Sequence, residues 1–156
     1  MPEVQGLFKL DEEVNLVGKG WNMGWNVREG THCFRAGSCP DGTPDGDPLR
    51  PPVVEYGHGD EGVSGVAVIG GYRYRGSALP LDGAYVFADW RADGRLFVAK
   101  PVRSGLWPVT PVPLDGSVGQ YALGFGRDLD DELYVCTSDR SGPRGGTGAV
   151  HRLVPP

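Results

Sequence analysis

Three histidines, three cysteines and a scatter of carboxylates are the side chains of this sequence equipped for chemistry. A catalytic histidine needs a nucleophile to activate or a carboxylate to orient it. Read along the chain, none has one: His32 lies in a loop beside Cys33, His58 follows the end of an apolar run, and His151 stands inside the last run. No active site built on them is expected, and His58 reads as a loop histidine in solvent. Cys33 and Cys39 share one short loop rich in Gly and Pro, a spacing that closes a small disulfide ring in an oxidising compartment and leaves Cys136 over. Zinc at these cysteines is disfavoured, because there is no C-x-x-C pair and His32 is the one nearby imidazole. The run Asp41-Gly42-Thr43-Pro44-Asp45-Gly46-Asp47 offers hard oxygens, but its spacing is not that of an EF-hand and turn formation accounts for each residue. Taken alone, Glu12 and Glu13 read as solvated strand carboxylates and Arg91 as a turn arginine.

The elements that must position these groups are short. Apolar residues come in runs of a few residues, many alternating with polar ones, and no segment sustains a helical period. Strands are expected at 12–17, 53–56, 66–74, 85–90, 95–102, 121–125, 133–137 and 150–154, with residues 36–52 as loop. Glycine (26) and proline (14) make up about a quarter of the chain, a level at which disorder must be considered. They fall between the apolar runs, however, as turn residues do. With 39% hydrophobic residues the chain can build one domain with a core. A net charge of −5 argues against a nucleic-acid partner, which would demand clustered Lys and Arg. No apolar run approaches the length of a membrane-spanning helix, and residues 1–20 carry no signal-peptide pattern.

Two stretches repeat. Tyr85-Val86-Phe87-Ala88-Asp89-Trp90-Arg91, followed by a turn and Arg95-Leu96-Phe97, is echoed by Tyr134-Val135-Cys136-Thr137-Ser138-Asp139-Arg140, a longer turn and Val150-His151-Arg152-Leu153. The offset from Tyr85 to Tyr134, 49 residues, suits consecutive four-stranded blades of a β-propeller, which recur at about 40–50 residues. A β-sandwich is the competing architecture.

Glu12-Glu13-Val14-Asn15-Leu16-Val17 is followed by Asn22-Met23-Gly24-Trp25 and Glu29-Gly30, then by Pro51-Pro52-Val53-Val54-Glu55-Tyr56-Gly57-His58 and Gly70-Gly71-Tyr72-Arg73-Tyr74-Arg75-Gly76. Tyr85-Val86-Phe87-Ala88-Asp89 and Phe125-Gly126-Arg127-Asp128 with Glu132-Leu133-Tyr134-Val135 complete the series. In order and spacing these motifs resemble the PQQ-dependent sugar dehydrogenases, the glucose/sorbosone dehydrogenase family of β-propellers. The resemblance runs from about residue 3 to the end. It implies an all-β fold over 1–156, a partial β-propeller of about two to three blades from a six-bladed ring. An intact propeller of that family holds PQQ and calcium at the top of its channel and oxidises a sugar hydroxyl, with a histidine as base. That histidine and the family's Arg-Asn cofactor motif belong upstream of this stretch, so no catalytic residue is expected here.

By the same resemblance, Glu13 stands where a calcium carboxylate belongs and Met23 where a tyrosine main-chain carbonyl completes the calcium site, both hard oxygen ligands. Arg91 stands where a basic residue meets the quinone carboxylates. Gln120 and Ala122 occupy positions at which these dehydrogenases place two cofactor arginines. Two functions follow. One is the C-terminal part of a PQQ- and calcium-dependent aldose dehydrogenase acting on a sugar, inactive without its other blades. The other is a non-catalytic extracellular interaction propeller, to which Gln120 and Ala122 point. The intact parent is expected to be extracellular or periplasmic, and the open sheet edges of an incomplete ring predict self-association.

Overall fold

The computed structural model describes residues 11–59, 62–91, 95–114, 121–142 and 144–156. Its elements are all strands, eleven among the described residues: β1 (Asp11–Val14), β2 (Arg28–Glu29), β3 (His32–Cys33), β4 (Val54–Gly57), β5 (Val68–Arg73), β6 (Tyr85–Asp89), β7 (Arg95–Ala99), β8 (Val109–Pro113), β9 (Tyr121–Arg127), β10 (Leu133–Ser138) and β11 (Ala149–Arg152). They pair antiparallel into a four-stranded meander β5-β6-β7-β8, a three-stranded meander β9-β10-β11, the pair β1-β4 and the small hairpin β2-β3. The expected all-β class is therefore the observed one, and the sheets lie against one another as a partial propeller does.

The β5–β8 sheet is the middle layer. Val86, Ala88, Leu96 and Val98 project from one face of β6 and β7 onto Ala122, Leu133, Val135 and Leu153 of the β9–β11 side. Phe87, Phe97 and Ala99, on the alternate positions, project from the other face onto Val54 and Tyr56 of β4. Successive strand residues point to opposite faces, so a strand covered on both sides must be apolar throughout. That is why β6 and β7 read as continuous apolar runs while β4 alternates. Burying a Phe side chain contributes roughly 1.5–3 kcal/mol, and Phe87 and Phe97 are both fully enclosed.

The internal repeat has a structural meaning, since β6 and β10 are each the second strand of their meander. At the equivalent positions Asp89 Oδ1 accepts from the Arg91 backbone N–H (3.0 Å) and Ser138 Oγ from the Arg140 N–H (3.1 Å), so both copies close the same turn. Bulges mark the first strand of each meander. In β5 the register shifts at Gly70-Gly71, and a Cβ on Gly71 would lie 1.9 Å from the Val86 carbonyl oxygen. In β9 the extra residue opposite Cys136 and Thr137 is Leu123.

The strand boundaries differ from expectation in places. The segment expected at 12–17 leaves the sheet after Val14, and Leu16 and Val17 are exposed. The strand expected at 95–102 stops at Ala99, ahead of Pro101. Strand β8 was not expected at all, because Pro111 and Pro113 lack the N–H that a ladder uses. They alternate onto one side of the strand, and β8 is an edge, so both nitrogens can point away from β7.

Candidate functional site

Between β1 and β4 the chain makes one long excursion, and the hairpin β2-β3 lies within it. Pairing of β1 with β4 puts Glu13 opposite Glu55 and Asp11 opposite Gly57. Val14, Val54 and Tyr56 turn to the core. Asp11, Glu13 and Glu55 share the other face by alternation. Like charges opposite one another are unfavourable, and here the hairpin sits over them as a set of donors. The Gly30 N–H donates to Glu13 Oε2 at 2.7 Å, and the Thr31 N–H donates to Glu55 Oε2 at 2.5 Å. The Thr31 hydroxyl donates to Glu55 Oε1 at 3.1 Å. Gly30 has φ 61° and a Cβ there would meet the Glu55 carboxylate, so a glycine is required at this turn.

His32 completes the group. Its Nδ1 lies 3.2 Å from Asp11 Oδ2 and 3.7 Å from Glu55 Oε1; the Asp11 side chain is fully buried and His32 half-exposed. Burial and the charges of Asp11 and Glu13 push the Glu29 carboxyl above its ordinary range, with Glu12 adding to the effect and His58 opposing it. On the core-facing side of β1, Glu12 receives the Val68 N–H (2.8 Å) and faces His58 Nε2 (3.0 Å), which ties β1 to the start of β5.

The histidines therefore correct the expectation that none has a carboxylate nearby. His32 and His58 both do, but their partners lie far along the chain and become neighbours only through the β1-β4 pairing and its contact with β5. His151 meets Thr137 Oγ1 (3.0 Å) and lines an apolar cavity of about 570 Å³ with Leu81, Leu96, Val98 and Val135. The spacing signal for a Cys33–Cys39 bridge holds: the two sulfurs are bonded, and Cys136 is a free thiol. The acidic loop is a set of turns, with Asp47 N–H donating to Thr43 Oγ1 and Asp41 paired to Arg28.

The residues carried from the family resemblance fall as follows. Glu13 is half-buried, and its two oxygens accept from Asn15 Nδ2 (2.9 Å) and Gly30 N–H, so it is not a freely solvated strand carboxylate. Met23 lies half-buried in the loop before β2. Arg91 is exposed in the turn after β6. Ala122 is wholly buried in β9, where its N–H donates to the Trp90 carbonyl; Gln120 lies outside the described residues.

The excursion also displays aromatic rings. Trp25 is 68% exposed and packs on Phe34 at 4.6 Å between centroids, and the Arg35 guanidinium lies over Phe34. Trp21 is 46% exposed and lies under the Arg50 guanidinium. The disulfide staples Cys33, at the end of β3 next to Phe34, to Cys39 in the loop that follows. Sequence reasoning missed this surface, since its rings are spread over 21–50 and assemble only around the hairpin.

Two plant proteins resemble this chain. The HIPL1 protein of Arabidopsis thaliana is 32% identical over 93% of the chain, and the HIPL2 protein of the same plant is 25% identical over 93%. The chain spans 23% of the length of each. No family model matches, and no solved structure does. These findings overturn the expected membership of the PQQ-dependent sugar dehydrogenases: the relatives are HIPL proteins, and nothing among them points to a quinone enzyme.

Proposed function

We propose that this chain is part of a non-catalytic extracellular interaction module whose binding surface is the disulfide-stapled excursion between β1 and β4. The observation that carries the reading is the exposure of Trp21 and Trp25 beside Phe34, with Arg35 and Arg50 over the rings. Trp and Arg dominate the energetics of protein interfaces, and rings held rigidly bind with little loss of side-chain entropy. The arginines favour a protein partner that offers carboxylates next to apolar side chains. Two facts support the setting. The Cys33–Cys39 bridge suits an oxidising compartment, and neither relative's name states a catalysed reaction. Among the described residues no helix is long and apolar enough to cross a membrane.

The test is saturable, protease-sensitive binding of the purified chain to cell surfaces, read by flow cytometry. Changing Trp21 and Trp25 together to Ala is expected to weaken binding about tenfold or more while the β-sheet circular dichroism stays unchanged. Absence of saturable binding, or equal binding by the variant, overturns the proposal. Self-association is a second reading favoured at one place. Among the described residues strand β11 is a sheet edge with an exposed Val150, whereas Pro111 and Pro113 protect the β8 edge of the four-stranded sheet.

A further inference from the structure

We infer that Asp11, His32 and Glu55 form a binding site for a first-row divalent transition metal, with zinc as the ion the donors suit best. The three side chains come from three strands, β1, β3 and β4, and their ligand atoms lie within 4.8 Å of one another. Zinc held tetrahedrally at bonds of about 2.0–2.1 Å needs donors about 3.3 Å apart. The two separations from His32 Nδ1, 3.2 Å to Asp11 Oδ2 and 3.7 Å to Glu55 Oε1, already match that edge. The remaining carboxylate pair lies within 4.8 Å, inside the reach of side-chain rotation.

The donor set chooses among ions. Calcium and magnesium take oxygen ligands, calcium six to eight of them, whereas an imidazole nitrogen with two carboxylates suits zinc and its neighbours. The surroundings favour a cation as well. Glu13 stands beside Glu55, and Glu29 feels Asp11, Glu12 and Glu13 as like charges, with His58 opposing among the described residues. Arg28, the cation of strand β2, is turned to Asp41 instead. Thr31 and Gly30 hold Glu55 and Glu13 from behind, which fixes the carboxylates as outer hydrogen bonds do in metal sites. Three protein ligands leave one coordination position, and the half-exposed His32 keeps it within reach of water or of a partner's carboxylate. The arrangement without metal is an imidazole ring between two carboxylates, and the experiment separates the two.

Zinc chloride titrated calorimetrically into the whole chain, freed of metal by chelator, should bind one to one with micromolar or tighter affinity and raise Tm by a few degrees. His32→Ala and Glu55→Gln should each weaken binding at least about tenfold, while Cys136→Ser leaves it unchanged. Calcium in about tenfold excess should not displace zinc. Should a variant fail to fold, cobalt(II) loaded into the unaltered chain gives the second readout: a tetrahedral d–d spectrum with no thiolate charge-transfer band. Zinc binding weaker than about 0.1 mM, binding indifferent to His32, displacement by calcium, or a thiolate band each overturns the assignment.

Discussion

Carboxylates serve two opposite ends in this molecule. Asp89 and Glu132 are buried, and donors surround them: Asp89 Oδ2 receives the Tyr56 hydroxyl and the Val66 and Ala67 N–H groups, each at 2.9 Å, and Oδ1 receives the Arg91 N–H. Glu132 receives the Tyr74 hydroxyl (2.8 Å) and the N–H groups of Ser77 and Ala78 (2.9 Å each). In both, a tyrosine in or just past one strand and two consecutive N–H groups of the following loop meet one carboxylate at an end of a later strand, which fastens the sheets together. Asp11, Glu13, Glu29 and Glu55, in contrast, crowd each other. The electrostatics follow: the Ala78 N–H and the Tyr74 hydroxyl hold Glu132 below its ordinary range, whereas burial and neighbouring carboxylates push Glu29 above its own. A carboxylate supplied with donors is architecture. Where carboxylates also face one another, as Glu13 and Glu55 do despite the donors of the hairpin, a cation would stabilise them, and the site lies there rather than in the better-packed sheets.

The largest expected effect breaks the architectural side. Asp89→Ala strands a tyrosine hydroxyl and several N–H groups in the interior, so a loss of about 3–5 kcal/mol is expected by denaturant unfolding. A loss below about 1 kcal/mol would mean that water satisfies those donors and the latch contributes little. The same experiment on Tyr56→Phe removes one donor and leaves the Asp89 carboxylate with its backbone N–H partners, and should cost only a fraction of that.

How much of this was legible follows from the range of the interactions. Strands β5, β6, β7, β9 and β10 are carried by local apolar runs, and the repeat at Tyr85 and Tyr134 reported their equivalence correctly. Strand β8 was hidden because its prolines argue against pairing unless the strand is known to be an edge. The hairpin β2-β3 was hidden because two-residue strands show no period. Asp89 looked like any residue at a strand end, and its donors come from β4 and the loop before β5. The metal cluster was the least legible part. His32 was visible, but Asp11 and Glu55 reach it through strand register, and register is not written at any one position.

Acid should separate the two kinds of carboxylate further. Glu132 and Asp128 are both held below their ordinary values of 4.5 and 3.8. For Asp128 the Glu132 N–H is the main cause, and the Asp130 N–H and the Tyr134 hydroxyl add to it. A carboxylate with a depressed folded value contributes stability that is present above the unfolded value and lost as pH falls through the folded one. Tm should therefore stay level down to about pH 4.5 and then fall steadily. Asp128→Asn should flatten part of that fall; an unchanged slope would show that the acid transition belongs to other groups.

The smallest effect sharpens the comparison most directly. Glu29→Gln removes one negative charge from a crowded, largely solvent-screened set without removing a side chain from the core. In metal-free protein at neutral pH it should stabilise by a few tenths of a kcal/mol, a gain that added salt diminishes. The same substitution at a supplied carboxylate, Glu132→Gln, should destabilise, because the amide oxygen must stay where Oε1 takes the Ser77 and Ala78 N–H groups, and the NH2 then meets the Tyr74 hydroxyl that donates to Oε2. Opposite signs for the same chemical change, glutamate to glutamine, are what the two environments require. If Glu29→Gln destabilises in low salt, the carboxylates around His32 are already compensated within the chain, and the case for a cation between them weakens with it.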